Sequence, residues 1–225
     1  MLDYDYREYL EKLLCFVKSK DSGSAAENLV SKFDTLECLL QIDRFLLSDT
    51  LCGNDEIAFY IRLISALTSR RITDKYKNGK KYSQKELEDY MVGMFFGADV
   101  ETAFVLLFDD EGRLISTDSL GDGTVNASGF LPRKLIDIAV RGGAKSVIIA
   151  HNHPRGATSP SRSDILTTCV AKSVLKNADI KLKSHYIVAG FDIDDCISVA
   201  NGESENAQSC LKNQTVSPNT SKKGK

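Results

Sequence analysis

The sequence predicts an α/β chain: a mixed β-sheet flanked by helices, with a small helical domain in front of it. Three observations carry this. Apolar residues recur at helical spacing through the first 70 positions; from Glu101 onward, short apolar runs of strand length replace that period; and those runs alternate with helical stretches, the order that builds a sheet covered by helices.

In the first part, Leu10, Leu13, Leu14 and Val17 share one helical face. Ala26, Leu29, Val30 and Phe33 share a second, and Phe59, Leu63, Ile64 and Leu67 a third. Turn chemistry interrupts them at Lys20-Asp21-Ser22-Gly23 and at Cys52-Gly53-Asn54-Asp55. These helices form a domain over residues 1–72. Residues 73–85 carry turn formers and charge but little to bury, so a boundary is expected there. Ser83, with Glu86 three positions later, has the spacing of a capping box and opens a further helix over 83–95. Linker and helix together occupy 73–99.

Residues 103–108 (AFVLLF) and 113–117 (RLIST) read as strands joined by the hairpin turn Asp109-Asp110-Glu111-Gly112. A third strand is expected at 120–125. A helix follows from about Pro132, with Pro in the first turn and Gly142 at the stop. Then come a strand at 145–150, a helix at 162–176, and strands at 180–189 and 192–199. The predicted order is β, β, β, α, β, α, β, β over a domain of residues 100–200. Residues 201–225 hold few large apolar side chains and are expected to be a disordered tail.

Composition narrows the function classes. The 225 residues are 42% apolar, enough to bury a good core. A formal net charge of -2 gives no broad electrostatic footprint for nucleic acid. One local exception is residues 70–85, with seven Lys or Arg against one Asp, a stretch that reads either as a solvated linker or as a positive surface for a phosphate backbone. No apolar run approaches the roughly 18 residues that cross a bilayer, so no membrane insertion is expected. Six cysteines without a CxxC pair, behind a charged N-terminus, point to free thiols in a reducing cytoplasm.

The stretch His151-Asn152-His153-Pro154-Arg155-Gly156, ending at Ser161 and Asp164, follows directly on the apolar run Val147-Ile148-Ile149-Ala150. Two imidazoles one residue apart at the end of a buried strand can point the same way. A carboxylate eleven residues after His153 can return across a tight loop, giving three protein ligands and one open position, as catalytic zinc requires. Ser161-x-x-Asp164 is also the spacing of a helix N-cap, and Asp164 in the first turn is favoured by the helix dipole. Only three histidines occur in the chain, and two of them flank one asparagine at this turn.

His-x-His followed by seven residues and Ser-x-x-Asp resembles the JAMM (JAB1/MPN+) metalloprotease motif, as His151, His153, Ser161 and Asp164. The fuller string, HNHPRG with PSRSD, is similar to the bacterial RadC family (UPF0758), as are residues 104–109, Gly123-Thr124, Pro132-Arg133 and the strand containing His185. The likeness covers residues 100–200 and extends more faintly to 7–71. It implies a JAB/MPN-like, cytidine-deaminase-like sheet. It also implies zinc held by His151, His153 and Asp164, Glu101 as general acid and base, and Ser161 as donor to a developing oxyanion. Glu101 stands one residue further from its strand than the family's Glu-x-Phe. His185 is read as structural, because Ser184 replaces the aspartate that usually precedes it.

The function these residues imply is a zinc-dependent hydrolase, a metallopeptidase or isopeptidase, acting on a protein or peptide substrate. Two other readings stand beside it: a DNA-repair or recombination accessory protein binding DNA, and a non-catalytic module that zinc stabilises. For DNA, the residues matching the family's helix-hairpin-helix turn, Leu51-Cys52-Gly53-Asn54-Asp55-Glu56, offer one glycine and two acids, a poor phosphate cradle. Substrate identity and oligomeric state are not encoded in any motif.

Overall fold

The computed structural model describes residues 12, 22–33, 36–42, 44–51, 55–122, 130–154 and 156–197. Among the described residues the chain runs through α1 (Ser22–Lys32), α2 (Leu36–Gln41), α3 (Arg44–Thr50), α4 (Asp55–Thr73) and α5 (Gln84–Phe95). They are followed by β1 (Thr102–Phe108), β2 (Leu114–Asp122), α6 (Phe130–Arg141), β3 (Ser146–Asn152), α7 (Arg162–Asn177), β4 (Lys181–Ala189) and β5 (Asp192–Asp195). The fold is mixed α/β, a five-stranded sheet in the order β2-β1-β3-β4-β5 with helices against it. Only the β3–β4 pair is parallel, as expected of two strands joined through a helix, here α7.

Both faces of the sheet are covered, so β3, at its centre, is buried at all seven positions. On one face Ala103, Val105, Leu107, Val147 and Ile149 pack with Leu135 and Ala139 of α6 and Ala171 and Leu175 of α7. On the other, Leu106, Phe108, Ile148, Ala150, Tyr186 and Val188 pack with Leu87, Met91 and Phe95 of α5. Alternating residues of one strand thus feed two cores. A third cluster, built on Ala26, Leu29, Leu39, Leu47, Ile57 and Ile61, lies among α1 to α4.

Several elements differ from the sequence's expectation, each for a local reason. The strands expected at 113–117 and 120–125 are one strand. A β-bulge against Ala103 and Phe104 takes up Leu120, which is buried, so the break in alternation is a bulge and not a turn. The helix expected from Pro132 begins at Phe130, with the proline still in its first turn. The strand expected at 192–199 ends at Asp195, whose carboxylate takes the backbone N–H of Ile197 at 2.9 Å and of His185 at 3.2 Å and turns the chain. On α4 the buried stripe is Ile57, Ile61 and Ser65, while Phe59, Leu63 and Leu67 are exposed, so the expected apolar face is displaced around the helix. Gly23 lies inside α1 rather than in a break. The expected apolar face of Leu10 to Val17, the turn at Cys52-Gly53-Asn54, residues 123–125 and the tail 201–225 lie outside the described residues.

Residues 73–85 are tied to the sheet: Gly79 N–H donates to the Leu114 carbonyl at 2.7 Å, and Leu114 N–H to the Lys80 carbonyl at 2.8 Å. Ser83 and Glu86 form the capping box on α5. Glu86 accepts from Ser83 N–H at 2.8 Å, and its own N–H donates to Ser83 Oγ at 3.3 Å. The hairpin turn closes at Asp109 and Arg113, with Gly112 at φ 78°, a left-handed conformation that glycine adopts without strain.

Candidate metal centre

The site forms at the carboxyl end of β3, where its antiparallel neighbour β1 begins and its parallel neighbour β4 ends. His151 is the last residue of β3 that pairs with β1, opposite Ala103. It continues the series Val147, Ile149 and therefore faces α7, fully buried. His153 leaves the strand, but its N–H still donates to the Val188 carbonyl at 2.8 Å. Its ring Nδ1 lies 2.8 Å from the Ala157 carbonyl, which fixes the imidazole across the return loop.

Asp164 arrives from the other side, at the start of α7. It belongs to a capping box: Ser161 N–H donates to Asp164 Oδ2 at 2.7 Å and Asp164 N–H donates to Ser161 Oγ at 3.2 Å. The cap and the site are not alternatives, because the carboxylate has two oxygens. Oδ1 lies 3.3 Å from His151 Nε2, and Oδ2 lies 3.6 Å from His153 Nε2. The two Nε2 atoms are 3.1 Å apart. His151, His153 and Asp164 thus form one group whose ligand atoms all lie within 4.8 Å of one another.

Tautomers decide what this group can hold. A carbonyl only accepts, so His153 Nδ1 carries a proton, and in the neutral ring Nε2 presents its lone pair. With His151 likewise protonated on Nδ1, two nitrogen lone pairs and a carboxylate converge with no donor among them. Such a set can hold a cation, a metal ion or a proton. Ligands of a tetrahedral zinc, each about 2.0–2.1 Å from the ion, stand about 3.3 Å apart, close to the distances here. These residues therefore fit a metal, and their mixture of imidazole and carboxylate suits zinc. Burial alone would push the Asp164 carboxyl up. Without a metal, a proton on His151 Nε2 takes the cation's place, and hydrogen bonding from His151 and then from Ser161 outweighs burial and holds the carboxyl well below the usual carboxylate range.

Behind the group lies a chain of contacts that the sequence did not reveal. His151 Nδ1 is 3.0 Å from His185 Nε2 on β4. His185 Nδ1 is 2.6 Å from Thr168 Oγ1, and that hydroxyl donates to the Asp164 carbonyl at 2.7 Å. Burial, and then the charge of His151, pushes the His185 imidazole down to about 3. Thr168 carries a recognisable signal only after the fact: it stands four residues after Asp164, one helical turn.

Glu101 is placed at the same end of the sheet but not in contact with the group. It immediately precedes β1. Extending the β1–β3 register by two residues sets it opposite His153, on the face of Ala103 and hence of His151. It is partly buried, and among the described residues no hydrogen bond or ion pair joins it to His151, His153 or Asp164. Asn152 holds its backbone on both sides: Asn152 Oδ1 accepts from Thr102 N–H at 2.7 Å, and Nδ2 donates to the Val100 carbonyl at 3.1 Å. Ser161 is exposed at the helix start, its Oγ accepting in the cap. Among the described residues no helix is long and apolar enough to cross a membrane, and no disulfide joins Cys38, Cys169 and Cys196.

The chain has relatives among known proteins. Residues 81–204 match the RadC-like JAB domain. A UPF0758 protein of Fusobacterium nucleatum is 32% identical over 193 residues, covering 80% of this chain and 82% of its own. One from Photobacterium profundum is 28% identical over 182 residues, 79% of this chain and 80% of its own. One from Pseudoalteromonas translucida reaches 36% over 118 residues, about half of each chain at 52% and 51%. With more than half of its length under the domain match, this chain belongs to the RadC-like JAB domain family, among the UPF0758 proteins.

Proposed function

We propose that the protein is a zinc-dependent hydrolase of amide or isopeptide bonds in proteins or peptides, with His151, His153 and Asp164 as the protein ligands of the metal. The observation that carries this reading is the convergence of two imidazole nitrogens and an ionised carboxylate, 3.1 to 3.6 Å apart, at a rigid strand end. Three protein ligands rather than four is the ligand count of catalytic zinc sites. Bound there, zinc would supply Lewis acidity that makes water a nucleophile near neutral pH and polarises a carbonyl.

The chain's own residues divide the remaining work. Glu101, on the sheet face of His151, takes the proton of the attacking water and returns it to the leaving amine. Ser161, whose side chain caps α7 and hydrogen-bonds the Asp164 carboxylate, turns its hydroxyl to the carbonyl oxygen as negative charge develops there. The buried strand β3 and the capped helix α7 hold the ligands still, so little ordering is left to the moment of reaction.

Metal analysis of the purified protein tests the reading first. Stoichiometric zinc is expected, and it is lost in His153→Ala and Asp164→Ala. Wild-type protein that purifies without metal, takes up no zinc on titration and is no less stable for it would end the proposal.

A further inference from the structure

We propose that His185 and Thr168 form a positioning pair that fixes the tautomer of His151, keeping the proton on Nδ1 and the Nε2 lone pair toward the metal, through a hydrogen-bond circuit that ends on the backbone of Asp164. The proposal rests on the metal-site reading and assigns the outer residues of that site.

Thr168 has a single O–H, and it is given to the Asp164 carbonyl at 2.7 Å. At 2.6 Å from His185 Nδ1 the same hydroxyl oxygen therefore accepts, and His185 Nδ1 carries the proton. A thiol at 3.4 Å, that of Cys196, fills the other acceptor direction of Thr168. His185 is 1% exposed and touches no carboxylate with its ring among the described residues, so its neutral form is the one the site accommodates. Its remaining lone pair, on Nε2, lies 3.0 Å from His151 Nδ1, which must donate. His151 Nε2 is then left bare, facing His153 and Asp164. The reverse assignment would set two oxygen acceptors, Thr168 Oγ1 and the Asp164 carbonyl, face to face at 2.7 Å.

This circuit does what an outer carboxylate does for many metal-bound histidines. It also joins three elements. His151 is on β3, His185 on β4 and Thr168 on α7, and the last link returns to the residue that supplies the third ligand. A change at either outer residue therefore reaches both kinds of ligand.

Four variants test the pair: Thr168→Val and His185→Leu, which keep bulk and remove the polar atoms, and Thr168→Ser and His185→Gln, which keep an acceptor. Zinc affinity is measured by competition with a chelating indicator, folding by thermal unfolding of the metal-free proteins, and the His151 tautomer by nitrogen NMR shifts in the metal-free state. The apolar variants are expected to bind zinc about 10 to 100-fold more weakly, and the conservative ones close to wild type. His151 Nδ1 is expected to be protonated in wild type and to lose that preference in Thr168→Val. Folded Thr168→Val with wild-type zinc affinity, or a bare Nδ1 in wild type, overturns the proposal. If His185→Leu does not fold, Thr168→Val carries the test. A wild type that binds no zinc refutes the metal site instead, and the nitrogen shifts still judge the tautomer.

Discussion

Asn152 stands between the two histidines, and replacing it with alanine separates the work of the strand from the work of the site. The residue is 3% exposed, and its side chain makes two hydrogen bonds to the segment that carries Glu101: it accepts from Thr102 N–H at 2.7 Å and donates to the Val100 carbonyl at 3.1 Å. In Asn152→Ala the Thr102 N–H, partly buried, loses its partner at a cost of about 1–3 kcal/mol, whereas the Val100 carbonyl, on an exposed residue, can turn to water and forfeits about 1 kcal/mol. The sum is about 2–4 kcal/mol, which in a chain of this length lowers Tm by about 4–16 °C. Zinc should stay, because the β3–β4 pairing and the His153 N–H to Val188 bond do not involve the lost side chain. Turnover should fall further than stability accounts for: Glu101 lies between the two released anchors, and a shift of about 1 Å in a reacting group costs about 10²-fold. Thermal unfolding, zinc content and single-turnover hydrolysis measured on one preparation give the three readings. An alanine variant with unchanged Tm and full turnover would refute the reasoning. So would loss of zinc in step with turnover, which would mean that Asn152 serves the metal ligands rather than Glu101.

Glu101→Gln should keep its zinc and lose about 10²–10⁴-fold in turnover, measured at saturating metal; full activity would remove Glu101 as the base. In metal-free protein, acid should destabilise well above the usual carboxylate range. His185 is pushed from 6.5 to about 3 by burial, so the unfolded chain binds a proton that the folded one does not, and stability falls as pH drops from about 6.5 toward 3. The depressed Asp164 carboxyl adds to the loss only below about pH 4, because its stabilisation is present above the unfolded carboxylate pKa and disappears below it. Urea midpoints across this range check the slope, and a flat profile down to about pH 4 contradicts it. Gly142→Ala should cost about 1–3 kcal/mol, since a Cβ there would sit 2.3 Å from Leu107 Cδ1 in the core beneath α6; an unchanged urea midpoint would show that Leu107 can move.

Much of the sheet was legible because its strands are short and apolar and its turns carry strong chemistry. The hairpin at Asp109 to Gly112, the helix stop at Gly142 and the capping boxes at Ser83 and Ser161 all follow from interactions within a few residues. Where the structure departs from the sequence pattern, distant contacts decide. The interruption near Leu120 is a bulge because β1 pairs straight through it, and α4 buries Ile57 and Ile61 rather than Phe59 and Leu63 because of where α1 to α3 lie. Periodicity finds an apolar stripe but does not say which of two adjacent stripes has a neighbour.

At the site, the sequence by itself determined the candidate ligand types and their order: a His-x-His at a strand end, and a carboxylate in the first turn of the next helix, both set by local geometry. It also raised a choice between cap and ligand for Asp164; the fold shows the cap made by one carboxylate oxygen and the other turned to His151, so the two roles are compatible. Tertiary structure alone decided which proton each imidazole carries and what braces Glu101. Those depend on His185, Thr168 and Asn152, brought into reach by strand pairing and helix packing across separations of 17 to 52 residues. Hydrogen bonds act over about 3 Å, and no spacing along the chain predicts which distant groups will come that close.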